Sequence, residues 1–295
     1  MEKSGSGIIK NFMRVLSLLP LSLRKSLFLL PVYLFYLLST RYRLIAMHNL
    51  HRAFPLMAEA QLRRIARGVY RNFAVIAAEY PDIFFLTREN IRERVEVEGY
   101  DNYLAARAEG KGVLVFAAHF SNWEMQLAAM ALLTEPLSLI YRPLDNTLLE
   151  EVTAMARTAA GNTLIGKKGA IRESARILKN GGMVGVMVDQ NMAWHEGVFV
   201  NFFGRPACTA GAIAGLALHT HAQVIPSFMV RKPSGRYSLV IGPPVKIIRT
   251  GDLEADILAN TQEFTSIVEE MVRNYPDQWL WVHSRWKTKP WQVEK

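Results

Sequence analysis

The chain has 295 residues, half of them hydrophobic, and a formal net charge of +9. That length supports one large domain with a full core or two small ones, and ordinary glycine and proline levels with no low-complexity stretch or internal repeat exclude a fibrous or disordered chain. Cys208 is the only cysteine, so no internal disulfide can form; it reads as a small buried residue, in keeping with a cytosolic setting.

The charge is unevenly placed. Residues 1–72 hold 12 Lys and Arg against only Glu2 and Glu59, whereas the other 223 residues are close to neutral. This basic quarter is also the most apolar part of the chain. Basic side chains flanking apolar stretches suit an anionic membrane surface. No nucleic-acid-binding motif accompanies them, which argues against DNA or RNA as partner. Phe12 to Ser39 is strongly apolar, but its longest charge-free piece, Ser26 to Thr40, is 15 residues. As helix that piece is about 22 Å long, short of the roughly 20 residues of a usual span. Arg24 and Lys25 interrupt the segment, and Pro20 and Pro31 are expected to kink it. A membrane-embedded or re-entrant anchor is favoured, with a single short span close behind. The basic pair inside the apolar region and the lack of a small-residue cleavage site argue against a cleaved signal peptide. Residues 1–45 are therefore assigned to an anchor or interfacial segment and 46–295 to a catalytic domain.

Glu59 to Phe73 predicts an amphipathic helix, with Leu62, Ile65, Ala66, Val69 and Phe73 on one stripe and Arg63, Arg64, Arg67 and Arg71 on the other. From residue 99 onward the chain alternates. Helices are predicted over 100–109, 122–133, 148–160, 169–179, 209–221 and 252–275. Strands are predicted over 113–118, 137–141, 162–165, 183–188, 223–230 and 237–241. Continuous apolar strands between helices predict an α/β fold: a single domain with a largely buried central mixed β-sheet flanked by helices. Ligands on such sheets gather beyond the strand C-terminal ends. His119, Arg142 and Asp189 each follow an apolar strand.

The segment Ala117-Ala118-His119-Phe120-Ser121-Asn122-Trp123-Glu124 carries the sharpest chemical signal. On a regular helix five residues turn through about 500°, leaving His119 and Glu124 some 140° apart. They can meet only with His119 at a strand end and Glu124 on the following helix. His119 would then act as general base near neutral pH, and Glu124 would fix its tautomer. An equally open reading makes Ser121 the N-cap and Glu124 the N3 residue of a capping box. No G-x-S-x-G elbow surrounds Ser121 as a nucleophile, and no metal motif is present. Arg142, in Tyr141-Arg142-Pro143, could pair bidentately with a phosphate or with a neighbouring carboxylate. Asn201-Phe202-Phe203-Gly204-Arg205 suggests a shaped loop ahead of the helix expected from Thr209.

Taken in order, His119-Phe120-Ser121-Asn122-Trp123-Glu124, Tyr141-Arg142-Pro143, Asp189-Gln190 and Phe202-Phe203-Gly204-Arg205 resemble the bacterial lipid A biosynthesis acyltransferases, the lauroyl/myristoyl or late group of the lysophospholipid acyltransferase superfamily with its His-x4-Asp/Glu motif. Asn49-Leu50, Ala53-Phe54-Pro55, the stretch Tyr275 to Trp281 and Arg285-Trp286-Lys287 extend the resemblance over nearly the whole chain. It implies an acyltransferase of the inner membrane whose site faces the cytoplasm. The enzyme would move a fatty acyl group from acyl carrier protein, or coenzyme A, to a hydroxyl of a phosphorylated glycolipid, the Kdo-containing lipid A precursor. It implies no cofactor beyond that thioester cosubstrate and no metal. Its motifs make His119 the base, Glu124 its partner and Arg142 a phosphate contact, with Asp189, Phe203, Gly204 and Arg205 shaping the substrate groove. Other readings are an acyltransferase for a lysophospholipid, an ornithine lipid or a phosphoinositide mannoside, a thioesterase, and a non-catalytic membrane-binding protein.

Overall fold

Pro20 divides the apolar N-terminal region. In the computed structural model, which describes residues 2–292, helix α1 (Glu2–Leu18) stops just before it and α2 (Leu21–Leu38) starts just after it. A proline lacks the N–H that a continuous helix would need, but it is well tolerated at a helix start. Pro31 is accommodated inside α2. Two more helices follow, α3 (Thr40–Ala53) and α4 (Glu59–Ile83). The latter runs ten residues past the predicted end, because from Ala74 its sequence changes from one apolar stripe to burial nearly all round.

The remaining elements alternate. A one-turn helix α5 (Ile91–Arg94) leads to β1 (Val95–Glu98), then α6 (Tyr100–Ala108), β2 (Val113–Ala117), α7 (Trp123–Leu133), β3 (Ser138–Tyr141) and α8 (Thr147–Thr158). Next come β4 (Thr163–Gly166), α9 (Ala170–Lys179), β5 (Met183–Met187), the hairpin strands β6 (Val198–Phe202) and β7 (Arg205–Thr209), α10 (Ala212–Thr220), β8 (Gln223–Arg231), β9 (Tyr237–Ile241) and α11 (Leu253–Asn274).

Seven strands form one sheet in the order β1-β9-β8-β2-β5-β3-β4. From β8 to β4 every pairing is parallel; β9 runs antiparallel to β8, with β1 parallel to β9. The predicted mixed sheet is therefore present. All five residues of β2 are buried, and their alternation serves two cores. Leu114 and Phe116 join α4, α10 and α11 on one face, while Val113 and Val115 join α6, α7 and α8 on the other. Helices on both faces explain why this strand reads as an unbroken apolar run.

Arg24 is the one fully buried residue of α2. It donates to the Ala78 carbonyl at 2.6 Å and pairs with Asp82 at 2.9 Å, which fixes α2 on α4. The remainder of α2 is largely open, with Leu27, Leu30, Phe35 and Leu38 all exposed. On α1, Ile8, Phe12 and Val15 make a further exposed apolar stripe. Among the described residues α2 alone is long and apolar enough to cross a membrane, judged by length and composition.

Candidate active site

The register of β2 and β5 builds the site. Ala117 pairs with Met187, and the Val188 N–H continues the ladder to the Ala117 carbonyl at 3.0 Å. His119 and Asp189, each two residues beyond that pair, thus leave adjacent strands side by side at their C-terminal ends. His119 Nδ1 lies 2.8 Å from Asp189 Oδ1. The His119 backbone N–H donates to Asp189 Oδ2 at 2.9 Å, and Trp279 Nε1–H donates to the same oxygen at 2.8 Å. Asp189 is 4% exposed and sits in a cradle of three donors.

The two pKa shifts follow from this geometry. For Asp189, burial pushes the carboxyl up, but the imidazole, the backbone N–H and the indole together hold it below the usual carboxylate range. For His119, burial disfavours the charged ring, yet the adjacent Asp189 charge and hydrogen bond raise its pKa overall. With Nδ1–H donated to Asp189, Nε2 carries the free lone pair, which is what a general base requires. Gln190 Nε2 approaches it at 3.3 Å, a long contact that an incoming hydroxyl can replace.

Glu124 stands where the predicted strand-end and helix arrangement puts it, in the first turn of α7, but it does not make the predicted contact with His119. Its carboxylate is engaged by Arg157 of α8, with Nε at 2.9 Å and Nη2 at 2.6 Å, and by Trp123 Nε1–H at 3.1 Å. A bidentate guanidinium is the stronger partner for a carboxylate, so the orienting contact falls to Asp189. The capping box is not formed either. Asn122 is the N-cap, accepting from the Met125 N–H at 3.1 Å, while its Nδ2 donates to buried Glu79 at 2.9 Å. Tyr237 Oη–H donates to Glu79 as well, at 2.6 Å.

The loop between β2 and α7 is held from behind. Ser121 has a φ of 50°, unusual for a residue with a side chain. Its N–H donates to the Gln278 carbonyl at 2.6 Å, and its carbonyl accepts from Asn72 Nδ2 at 3.3 Å. The Leu280 N–H donates to the His119 carbonyl at 3.1 Å. Gly68 on α4 lets the Pro276–Gln278 turn come close, since a Cβ there would lie 2.6 Å from that of Asp277.

His119 opens on a cavity of about 430 Å³ lined by Trp123, Leu127, Tyr141, Arg142, Arg157 and Met187, among others. Arg142 is at its rim, with its side chain 77% exposed and 3.2 Å from Asp145. The expected groove residues Phe203, Gly204 and Arg205 do not line this cavity. Phe203 (φ 53°) and Gly204 (φ 71°), both left-handed, form the turn of the β6–β7 hairpin, and Arg205 opens β7. Phe203 is buried against Phe54 and Trp281, with the Arg273 guanidinium 4.4 Å from its ring centre. Arg205 Nε donates to the Arg52 carbonyl at 3.2 Å. The hairpin thus supports the segment that carries Trp279, through Phe202, whose ring lies 5.5 Å from that indole. Trp279, Gln190 and Arg157 complete the site beyond the residues to which the sequence motifs assign a role. Trp279 lay in view, inside the stretch Tyr275 to Trp281, but nothing in that stretch says which strand end it caps.

The model of the bacterial lipid A biosynthesis acyltransferases matches residues 7–288. The chain belongs to this family. The lipid A biosynthesis palmitoleoyltransferase of Escherichia coli K12 is 28% identical over 248 residues, which cover 83% of this chain and 79% of the relative. The E. coli K12 lipid A biosynthesis lauroyltransferase is 26% identical over the same shares. A lipid A biosynthesis acyltransferase of Haemophilus influenzae is 24% identical, over 85% of this chain and 77% of the relative. The chain is accordingly an acyltransferase. In this member of the family the two carboxylates have different partners, Asp189 on the imidazole and the motif's Glu124 on Arg157.

Glu124→Ala is expected to leave the partly buried Arg157 uncompensated. The pair's side chains are 8% and 16% exposed, and loss of one partner from such a pair costs about 3 kcal/mol. Both the melting temperature and turnover should fall, because Arg157 lines the cavity. The pH at which activity rises should move to the acid side, since the Glu124 charge helps to hold the imidazole proton, although Asp189, the larger influence, remains in place. Normal turnover with only a lower melting temperature would reduce Glu124 to a structural part.

Proposed function

We propose that this protein transfers a fatty acyl group from an acyl carrier protein or coenzyme A thioester to a hydroxyl of a phosphorylated glycolipid, the Kdo-containing lipid A precursor. The reaction would take place at the inner membrane, with the site facing the cytoplasm. The observation that carries the reading is the Asp189–His119 pair, whose imidazole opens on a cavity behind the strand C-terminal ends. His119 Nε2 takes the acceptor hydroxyl proton as the oxygen attacks the thioester carbonyl. A C–O bond forms, the C–S bond breaks, and the imidazolium returns the proton to the departing thiolate. No covalent enzyme intermediate is needed. Arg157, held by Glu124, brings positive charge to the cavity where the oxyanion develops. Arg142 at the rim is assigned to an acceptor phosphate. The exposed apolar faces of α1 and α2 support a membrane-embedded rather than a freely soluble enzyme.

The test is reconstitution of the detergent-purified protein with the Kdo-containing lipid A precursor and either acyl–acyl carrier protein or acyl–coenzyme A. The product mass spectrum should show one added acyl group, and its mass reports the chain length. The two donors compared report the preferred thioester. Release of free fatty acid at the full rate without the lipid would make the protein a thioesterase and sink the reading.

A further inference from the structure

A second cavity lies on the same rim of the sheet, separate from the histidine. It occupies about 940 Å³ between α2, α4 and the β8–β9 connection, and shares none of its walls with the His119 cavity. Six cations line it: Lys25, Arg64, Arg67, Arg71, Arg231 and Lys232. Lys232 is paired with Glu96 and Glu98, and Lys25 lies 3.9 Å from Glu79. Among the described residues no carboxylate pairs with Arg64, Arg67, Arg71 or Arg231, and Asp277 is the one acid in the wall. Arg64, Arg67 and Arg71 follow one another at helical spacing on α4, where like charges repel. An uncompensated cluster of this kind in a concave site favours an anion.

We infer that this cleft is a binding site for the phosphate headgroup of an anionic membrane phospholipid, distinct from the acyl-transfer site. The argument for a lipid over an acidic protein is the wall that α2 supplies. Lys25, Ser26 and Leu29 of α2 complete the cleft, and from Leu29 the exposed apolar side chains continue to Leu30, Tyr33 and Leu34. A ligand with an anionic head and hydrocarbon tails meets both surfaces. An acidic protein surface would neutralise the arginines and leave the leucines bare. The inference rests on α2 contacting the bilayer, not on the identity of the acyl donor or acceptor.

The experiment measures partitioning of the full-length protein onto vesicles of phosphatidylcholine alone and of phosphatidylcholine mixed with phosphatidylglycerol. The wild type is compared with a triple variant, Arg64→Gln, Arg67→Gln and Arg71→Gln. Each cation near an anionic surface contributes about fivefold at low salt, so the preference for the anionic vesicles should drop by up to about a hundredfold. Partitioning onto phosphatidylcholine alone should not change, nor should acyl transfer in detergent. The His119→Ala protein should keep the full preference, so a failed transfer reaction leaves this result readable. Undiminished preference in the triple variant overturns the inference. So does a variant that keeps its preference but loses binding to acyl carrier protein, which would make the cleft a protein-docking face. Should the triple variant melt early, Arg67→Gln alone and a salt titration of the wild type decide. A preference that does not weaken with salt counts against the site.

Discussion

His119→Ala is expected to reduce acyl transfer by about 10²–10⁴-fold, the range that a positioned general base contributes. The protein should fold, because the imidazole is partly open to the cavity and its loop is held by backbone bonds to Gln278 and Leu280. The alanine does leave Asp189 without its principal neutralising partner, so a lower melting temperature accompanies the loss. Acyl product formed per enzyme under saturating donor and acceptor is the measurement. Full activity would remove the imidazole from the reaction and with it the proposed mechanism.

Asp189→Asn is expected to cost nearly as much, for a different reason. The carboxylate faces three donors, and an amide has one acceptor oxygen and one NH₂ group. With the amide oxygen turned to the His119 N–H and the Trp279 indole, two bonds survive and the NH₂ group faces Nδ1. The imidazole must then carry its proton on Nε2, the nitrogen required as base. A triad histidine forced into the wrong tautomer loses about 10⁴ in turnover. The pH dependence gives an independent readout. The base works in its neutral form, so activity rises as pH passes upward through the His119 pKa. Wild-type His119 is raised above the ordinary imidazole value, and its rising limb should lie on the alkaline side of that value. Whatever activity the variant retains should rise at lower pH, because the charge that held the proton is gone. The stability conferred by the pair has its own window. The lowered Asp189 contributes above the ordinary carboxylate pKa and its share is lost as pH falls through the depressed value. The raised His119 contributes below the ordinary imidazole pKa and its share is lost as pH rises through the elevated one. Wild type should therefore exceed Asp189→Asn in melting temperature most clearly between those two ordinary values. An unmoved limb in the variant would show that Asp189 does not govern the imidazole.

The elements that carry the site were legible because they are buried on both faces. Val113 to Ala117 and Met183 to Met187 are short apolar runs that no exposed strand would tolerate, and each is followed two residues on by a polar side chain, His119 and Asp189. Their adjacency was not legible. Strand order is decided by how helices cover the sheet, and nothing local to His119 says that Asp189, 70 residues on, emerges beside it. The acid nearer in sequence, Glu124, is the one that spacing offers as orienting partner, and the Arg157 that engages it comes from α8. The strand β1 lies outside the predicted elements, although Val95-Glu96-Val97-Glu98 alternates with a period of two. Sequence suggests a loop rather than the β6–β7 hairpin, since Phe203-Gly204 is not among the usual tight-turn pairs; aromatic packing around Phe203 offsets the cost of its backbone. The helix expected from Thr209 starts at Ala212 because Thr209 still belongs to that hairpin.

The buried contact of Arg24 has a mechanical consequence. Arg24 fastens α2 to Ala78 and Asp82 of α4, and the same helix fastens the histidine loop through Asn72 to Ser121 and through Glu79 to Asn122. Every link in that path is a polar bond shielded from water, and most of the path is one unbroken helix. A continuous path of buried bonds therefore joins α2 to the loop that carries the imidazole. In the proposed reaction, the height of the reacting nitrogen above the surface on which α2 would rest is set by this scaffold, and with it which hydroxyl along an acceptor would come within reach.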